Sequence, residues 1–445
     1  MRRAVCLLLC ALLIPVSVAL AAENAEPDIR AAAALLCNAD TGEALYALNE
    51  HDRREPASLT KIMTALLVLE AVQRGEAGMD DILTTRASAF TDVGADGSVA
   101  GFTIGEEVRL EDLLYCIMLQ SANEGCNILA VHISGSVAAF VSAMNARAAE
   151  LGCAGTNFTN THGMPGAAHY TTAADMKLIA LAAMTTPHFM EIAHTDTYVV
   201  PATNKSASRK LTTTNSLIST SRYSEYIYTY ARGIKTGHTA AAGYCLVSGA
   251  EKDGLRLLSV VLGAKLEGGK IRSFVETREL FEWGFSNFTV KKLLAKNKIV
   301  GQIPVIMGVG KDAVTLVPEE EVTALVSADL NVDDVHVELS LEHPEGIHAP
   351  VYKDQVLGTA TVRYEDRDYG TVRVLASFSV ERDEVANLWA QARDWLSRPW
   401  LRRLLIAVPS AVLLYAAFAV AVNLRRRAAK KKQTNYRGKK KYTDR

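Results

Sequence analysis

Pro56-Ala57-Ser58-Leu59-Thr60-Lys61-Ile62-Met63-Thr64-Ala65-Leu66-Leu67-Val68-Leu69 is the stretch on which the reading of this 445-residue chain turns. Ile62, Leu66, Leu69 and Val72 recur at helical spacing, and Met63, Ala65 and Val68 fill the other sides. A helix from Ser58 to Val72 that is apolar almost all round belongs inside a domain. Ser58 and Lys61 stand three positions apart, hence on one face of it. The ordinary meaning of Ser-x-x-Lys is a helix cap and a solvated lysine, but this lysine would be buried. Desolvation lowers the proton affinity of an amine, so Lys61 could act as a base toward the Ser58 hydroxyl.

Before this helix, Ala31 to Asn38 and Glu43 to Asn49 flank the turn Ala39-Asp40-Thr41-Gly42 and predict a strand hairpin. After it, helical patterns run over Leu110 to Gln120, Glu124 to Ile133, Val137 to Leu151 and Thr172 to Met184. The texture then changes. Gly243 to Ala250 and Leu255 to Leu262, divided by Lys252-Asp253-Gly254, predict an antiparallel pair, and Ser273 to Phe285 a closing helix. The expected fold over 29–290 is α/β, an antiparallel sheet carrying a helical subdomain. From 299 to 381 short β-branched segments divided by Gly, Asp and Pro predict a small all-β domain.

The two ends speak of a membrane. Arg2 and Arg3 precede an apolar run to Leu20, with Ala19 and Ala21 where a signal peptidase reads, so 1–21 is expected to be a secretory signal. Leu404 to Leu424 is uncharged and, at about 1.5 Å per residue, long enough to span the hydrocarbon core. Residues 425–445 hold eleven Lys/Arg against Asp444 alone, an asymmetry that keeps this basic tail cytoplasmic and the folded body on the extracytoplasmic side of the cell membrane. A terminal basic run directly behind an apolar stretch is not a folded basic face, so no nucleic acid is expected as a partner. Residues 385–403, which include Trp389, Trp395 and Trp400, predict an amphipathic membrane-proximal helix, lying either in the headgroup layer or against the domain above.

Seven cysteines are too few for a disulfide scaffold, and Cys37, Cys116, Cys126, Cys153 and Cys245 sit in apolar surroundings that suit buried thiols. His162 and His169, seven apart, lack the carboxylate or cysteine support of a metal site, and no metal or cofactor is expected.

Two further elements bear on the Ser58 helix. Ser121-Ala122-Asn123 follows the Leu110 to Gln120 helix, in a connection between helices. Arg232-Gly233-Ile234-Lys235-Thr236-Gly237-His238-Thr239 opens the antiparallel pair, where Gly237 would let another backbone approach and a substrate peptide add as a strand. Lys235 and Thr236 suit a carboxylate, and the amides of Ser58 and His238 an oxyanion. Each element alone is weak. In this order, 63 and 114 residues apart, the set resembles that of penicillin-binding proteins and serine β-lactamases. Pro56 to Ala65, Gly233 to Thr239, Ala242-Gly243-Tyr244, His162-Gly163-Met164, Tyr170 to Met176 and Trp283-Gly284-Phe285 are similar to the D-alanyl-D-alanine carboxypeptidases among the low-molecular-mass penicillin-binding proteins.

The resemblance implies acyl transfer on peptidoglycan stem peptides ending in D-Ala-D-Ala, with β-lactams as inhibitors. Ser58 would be the nucleophile and Lys61 its base, and Ser121 would pass the proton to the leaving amine. Asn123 would hold the substrate amide, and Lys235, Thr236, Gly237 and His238 would line the carboxylate and backbone subsite. Arg272 is the candidate for an arginine that the family often adds for the same carboxylate. Asp175 is expected to brace a loop. The rival readings are an endopeptidase or transpeptidase with the same motifs, a β-lactamase, and a binding protein without turnover. A β-lactamase would need a deacylating Glu-x-x-Asn between the second and third motifs, whereas Glu124 to Asn127 and Glu384 to Asn387 lie elsewhere.

Overall fold

The computed structural model describes residues 26–439, so the signal segment expected at 1–21 and the last residues of the basic tail lie outside the described residues. The chain forms two compact units, one running to Val290 and taking in Leu325–Leu330, the other Lys291–Ala324 with 331 onward.

In the first unit five strands form one antiparallel sheet: β1 (Ala33–Asn38), β2 (Ala44–Leu48), β3 (Ala231–Thr239), β4 (Gly243–Lys252) and β5 (Leu255–Ala264), in the order β2-β1-β5-β4-β3. The strands from the beginning and end of the unit thus meet, β1 against β5 from Ala33↔Leu262 to Asn38↔Leu257. Alternation sends their side chains into two separate cores. Ala33, Leu35, Cys37, Leu258, Val260 and Leu262 join the core that holds α1 (Thr60–Gln73). Ala34, Leu36, Leu257 and Val261 join the other, under α7 (Arg272–Asn287). A sheet covered on both faces needs near-continuous apolar strands, which is what Ala33-Ala34-Leu35-Leu36-Cys37 and Val260-Val261-Leu262 supply.

The helical layer on the α1 side contains α2 (Leu110–Tyr115), α3 (Asn123–Ser134), α4 (Val137–Glu150), α5 (Ala173–Thr185) and α6 (Phe189–Ala193). Every residue from Thr60 to Leu69 is buried, Lys61 included, as an all-round apolar helix requires. Helix α5 is capped by Thr172, whose side chain accepts from the Asp175 amide. Asp175 braces a loop: its Oδ2 accepts from the Gly155 amide and from Thr156 Oγ1, both at 2.7 Å.

The second unit is a six-stranded sheet of β6 (Gly301–Ile306), β7 (Ala313–Pro318), β8 (His336–Leu341), β9 (Ile347–His348), β10 (Val356–Tyr364) and β11 (Arg367–Ala376). Its order is β8-β10-β11-β7-β6-β9, with only β6 and β9 parallel. The segments Phe288–Leu294 and Val322–Ser327 are also strands, although their mixed polar and apolar residues carried no strand expectation. Two helices follow, α8 (Glu384–Ser397), none of whose residues is buried, and α9 (Pro399–Lys439). Among the described residues α9 is the one single helix long and apolar enough to cross a membrane, with Pro409 inside it.

Candidate active site

Ser58 stands at the entry to α1, in a short 3-10 turn over Ala57–Leu59. Two glycines press on that turn. A Cβ on Gly163 would lie 1.8 Å from the Ala57 carbonyl oxygen, and one on Gly237 would lie 3.1 Å from the Pro56 oxygen and 3.2 Å from the Ser58 nitrogen. The backbone that Gly237 admits is therefore the chain's own 56–58 turn, which seats the third motif against the first.

Lys61 Nζ, one helical turn beyond, is 3.0 Å from Ser58 Oγ, 2.8 Å from Asn123 Oδ1 and 2.7 Å from the His162 carbonyl oxygen. Ser121 Oγ lies 2.9 Å from Ser58 Oγ on another side. Burial lowers the Lys61 ammonium to about 8, with the nearby Cys126 and Glu124 pulling weakly the other way. A neutral amine has two protons and one lone pair. With Asn123 Oδ1 and the His162 carbonyl taking the protons, the lone pair is left for the Ser58 hydroxyl.

Ser121 is placed by a break in the helix before it. Residues Cys116–Gln120 form a π-turn, and Ser121 follows at φ 66°, a left-handed conformation uncommon for a residue with a side chain. Asn123 then opens α3. Its amide donates to the Ser98 carbonyl at 2.8 Å and its Nδ2 to the Val93 carbonyl at 2.9 Å. Glu124 Oε1 accepts from the amides of Ala100 and Gly101 at 2.7 and 3.0 Å, and burial raises its carboxyl. Asn127 Nδ2 donates to the carbonyls of Ala89 and Thr91. The first turn of α3 thus clasps the 89–101 loop beside the site.

On β3, Lys235 is 1% exposed, and its Nζ donates to the Thr236 carbonyl at 3.1 Å. Burial, with Lys61 and Arg222 adding to it, drives the Lys235 ammonium well below its ordinary value. Thr236 Oγ1 is 2.6 Å from Thr214 Oγ1. His238 is exposed and packs on Tyr244, the ring centres 4.2 Å apart.

Ser58, Lys61, Ser121 and Asn123 are brought into one hydrogen-bonded cluster, and Gly237 carries β3 to it. Arg272 is a correction: it donates to Glu276 Oε1 at 3.0 Å and lies in a looser ion pair with Glu279 Oε2 at 3.7 Å, at the start of a helix on the opposite face of the sheet from α1. Glu276 in turn accepts from the Ala31 amide at 2.9 Å, so this arginine serves the join between α7 and the sheet. Thr214, the His162 carbonyl and the 89–101 loop were not expected at the site. Only the His-Gly-Met string hinted at the second of them.

A constellation of this kind has known counterparts. The family described as D-alanyl-D-alanine carboxypeptidase matches residues 20–266, and that described as penicillin-binding protein 5, C-terminal domain, matches residues 288–382. The chain is 33% identical over 334 residues to D-alanyl-D-alanine carboxypeptidase DacF of Bacillus subtilis, covering 75% of this chain and 81% of that one. It is 30% identical over 380 residues to DacA of Haemophilus influenzae, covering 83% and 89%. Among solved structures, penicillin-binding protein 5 from Haemophilus influenzae superposes with a TM-score of 0.61 at 30% identity, over 80% of this chain and 99% of that one.

Proposed function

The chain belongs to the D-alanyl-D-alanine carboxypeptidase family of low-molecular-mass penicillin-binding proteins, and from that premise we propose how its residues remove the terminal D-alanine of a peptidoglycan stem peptide. The enzyme is a serine peptidase, a hydrolase, and binds β-lactams. Ser58 Oγ attacks the carbonyl carbon between the two D-alanines while its proton passes to Lys61 Nζ. The C–N bond then breaks. The amine of the departing D-alanine takes up a proton delivered through Ser121 Oγ, and an ester on Ser58 remains. Water cleaves the ester, returning the proton to Ser58 and releasing the shortened peptide. Asn123 holds the substrate amide, and the Ser58 and His238 amides face the oxyanion.

Lys235 and Thr236 receive the terminal carboxylate. Burial lowers the proton affinity of the Lys235 ammonium, and an arriving carboxylate would favour its charged form. The observation that carries the reading is the buried Lys61 Nζ, 3.0 Å from Ser58 Oγ and held on its other sides by Asn123 Oδ1 at 2.8 Å and the His162 carbonyl at 2.7 Å. The apolar α9 suits a membrane anchor, and the basic residues behind it support a topology with the catalytic unit outside the cytoplasm.

The test is release of D-alanine from a diacylated Lys-D-Ala-D-Ala peptide by the detergent-solubilised full chain, beside Ser58→Ala. Release by the parent and none by the variant is the expected result. Penicillin labelling of Ser58 without D-alanine release would reject the carboxypeptidase step and leave acyl transfer to another acceptor.

A further inference from the structure

Ala57, the residue immediately before the nucleophile, is held at φ 46° in the left-handed region. Its carbonyl accepts from Thr60 Oγ1 at 2.8 Å. A hydroxyl has one proton, so Thr60 must accept from its other neighbour, His169 Nε2, at 2.9 Å. At the far edge of the ring the Thr159 amide donates to His169 Nδ1 at 3.0 Å. The three bonds run in one direction, from the Thr159 amide through His169 and Thr60 to the Ala57 carbonyl. Only a neutral imidazole protonated on Nε2 satisfies all of them. Ala57, Thr60 and His169 are buried, and burial lowers the imidazole to about 4, so the ring stays neutral where the enzyme works.

We propose that His169 and Thr60 are positioning residues for acylation, holding the Ala57 carbonyl so that the strained turn presents the Ser58 hydroxyl to Lys61 and the Ser58 amide to the oxyanion. The proposal rests on Ser58 as the nucleophile. Neither residue touches the substrate, and neither moves a proton in the reaction. Strain of this kind persists only where surrounding bonds over-determine it, and here the Gly163 contact and the Thr60 hydroxyl both act on one carbonyl.

Thr60→Val keeps the shape of the side chain and removes both bonds. His169→Phe keeps a flat ring beside Phe158, and His169→Gln returns an N–H donor at similar reach. The measurement is the second-order rate of Ser58 acylation by benzylpenicillin in the full chain, read by intact mass, together with the unfolding midpoint of each variant. Thr60→Val and His169→Phe are expected to slow acylation by roughly 10- to 100-fold, as displacement of a reacting group does, and His169→Gln to recover most of it. Equal rates for the Phe and Gln variants, or rates that simply follow the midpoints, would overturn the proposal. A parent that benzylpenicillin does not acylate would strike instead at Ser58 as nucleophile. Nitrogen NMR of His169 stands apart from activity: a proton found on Nδ1 would overturn the relay by itself.

Discussion

The two units of this chain treat polarity in opposite ways. The first buries Lys61, Asp112, Glu124, Asp175, Lys235 and Glu276, whereas among the described residues no polar or charged side chain beyond Thr277 is buried. The core of the second unit is Ile303, Val314, Leu316, Leu357, Ala360, Val374 and their apolar neighbours. Its arginines stay at the surface, Arg363 against Glu338 and Asp368, Arg373 against Glu319. A buried polar group costs stability unless it is fully partnered, and a buried amine shifts its proton affinity as well. A fold keeps such groups where chemistry or register needs them. The contrast therefore marks one unit as the reacting body and the other as a scaffold held by apolar packing.

The largest effect expected from breaking this contrast is at Lys61. Lys61→Ala removes the base and should slow acylation by penicillin by about 100- to 10,000-fold, with the fold retained. In the parent the rate should rise with pH and level off above about 8, because the neutral amine is the active form and burial has lowered its proton affinity to about 8. The same shift makes a stability statement. The unfolded amine holds its proton to about 10.4, so between about 8 and that value the folded chain binds fewer protons and this contribution to stability grows as pH rises. A pH-independent acylation rate between 6 and 9 would remove Lys61 from the role of base.

Next in size is Gly237→Ala. The new methyl would sit 3.1 Å from the Pro56 oxygen and 3.2 Å from the Ser58 nitrogen, closer than a side chain normally comes to backbone. Either the Ser58 turn or strand β3 must give by a few tenths of an ångström. Acylation should fall by roughly tenfold, since a small misplacement of the nucleophile is costly. The unfolding midpoint should move little. Unchanged acylation would mean that β3 and the turn are not mutually fixed.

Much of the site was legible because it rests on spacing. A three-residue interval on an all-apolar helix is enough to pair Ser58 with Lys61 and to bury the amine. Ser121, Asn123 and Lys235 come from distant segments, and their meeting could be expected only through the resemblance. Arg272 failed for a physical reason: chain order shows that it follows the β4–β5 pair but not which face of the sheet its helix covers. Glu276 and Glu279, four and seven positions on, were the visible sign that its charge had partners nearer by. The clasp on the 89–101 loop uses backbone carbonyls and amides, which leave no mark in side-chain pattern. The strands Phe288–Leu294 and Val322–Ser327 were harder still. Val322–Ser327 has Thr, Ala and Ser among its apolar residues and lies half exposed, so periodicity alone does not single it out.

Leu316→Ala tests the scaffold half of the contrast, where acylation should change least. Leu316 is fully buried and faces Gly301 on β6 and Ala376 on β11. Removing three carbons from such a position costs about 2–5 kcal/mol, the range set by how far the neighbours can collapse. Gly301, with no side chain of its own, offers little to fill the gap. Amide hydrogen exchange across 301–376 should therefore accelerate markedly, while the rate of penicillin acylation at Ser58 stays within about twofold of the parent, as expected for sites that share no partners. If acylation fell together with protection of these strands, the second unit would be maintaining the geometry of the Ser58 turn, and buried polarity would no longer separate the reacting body from its support.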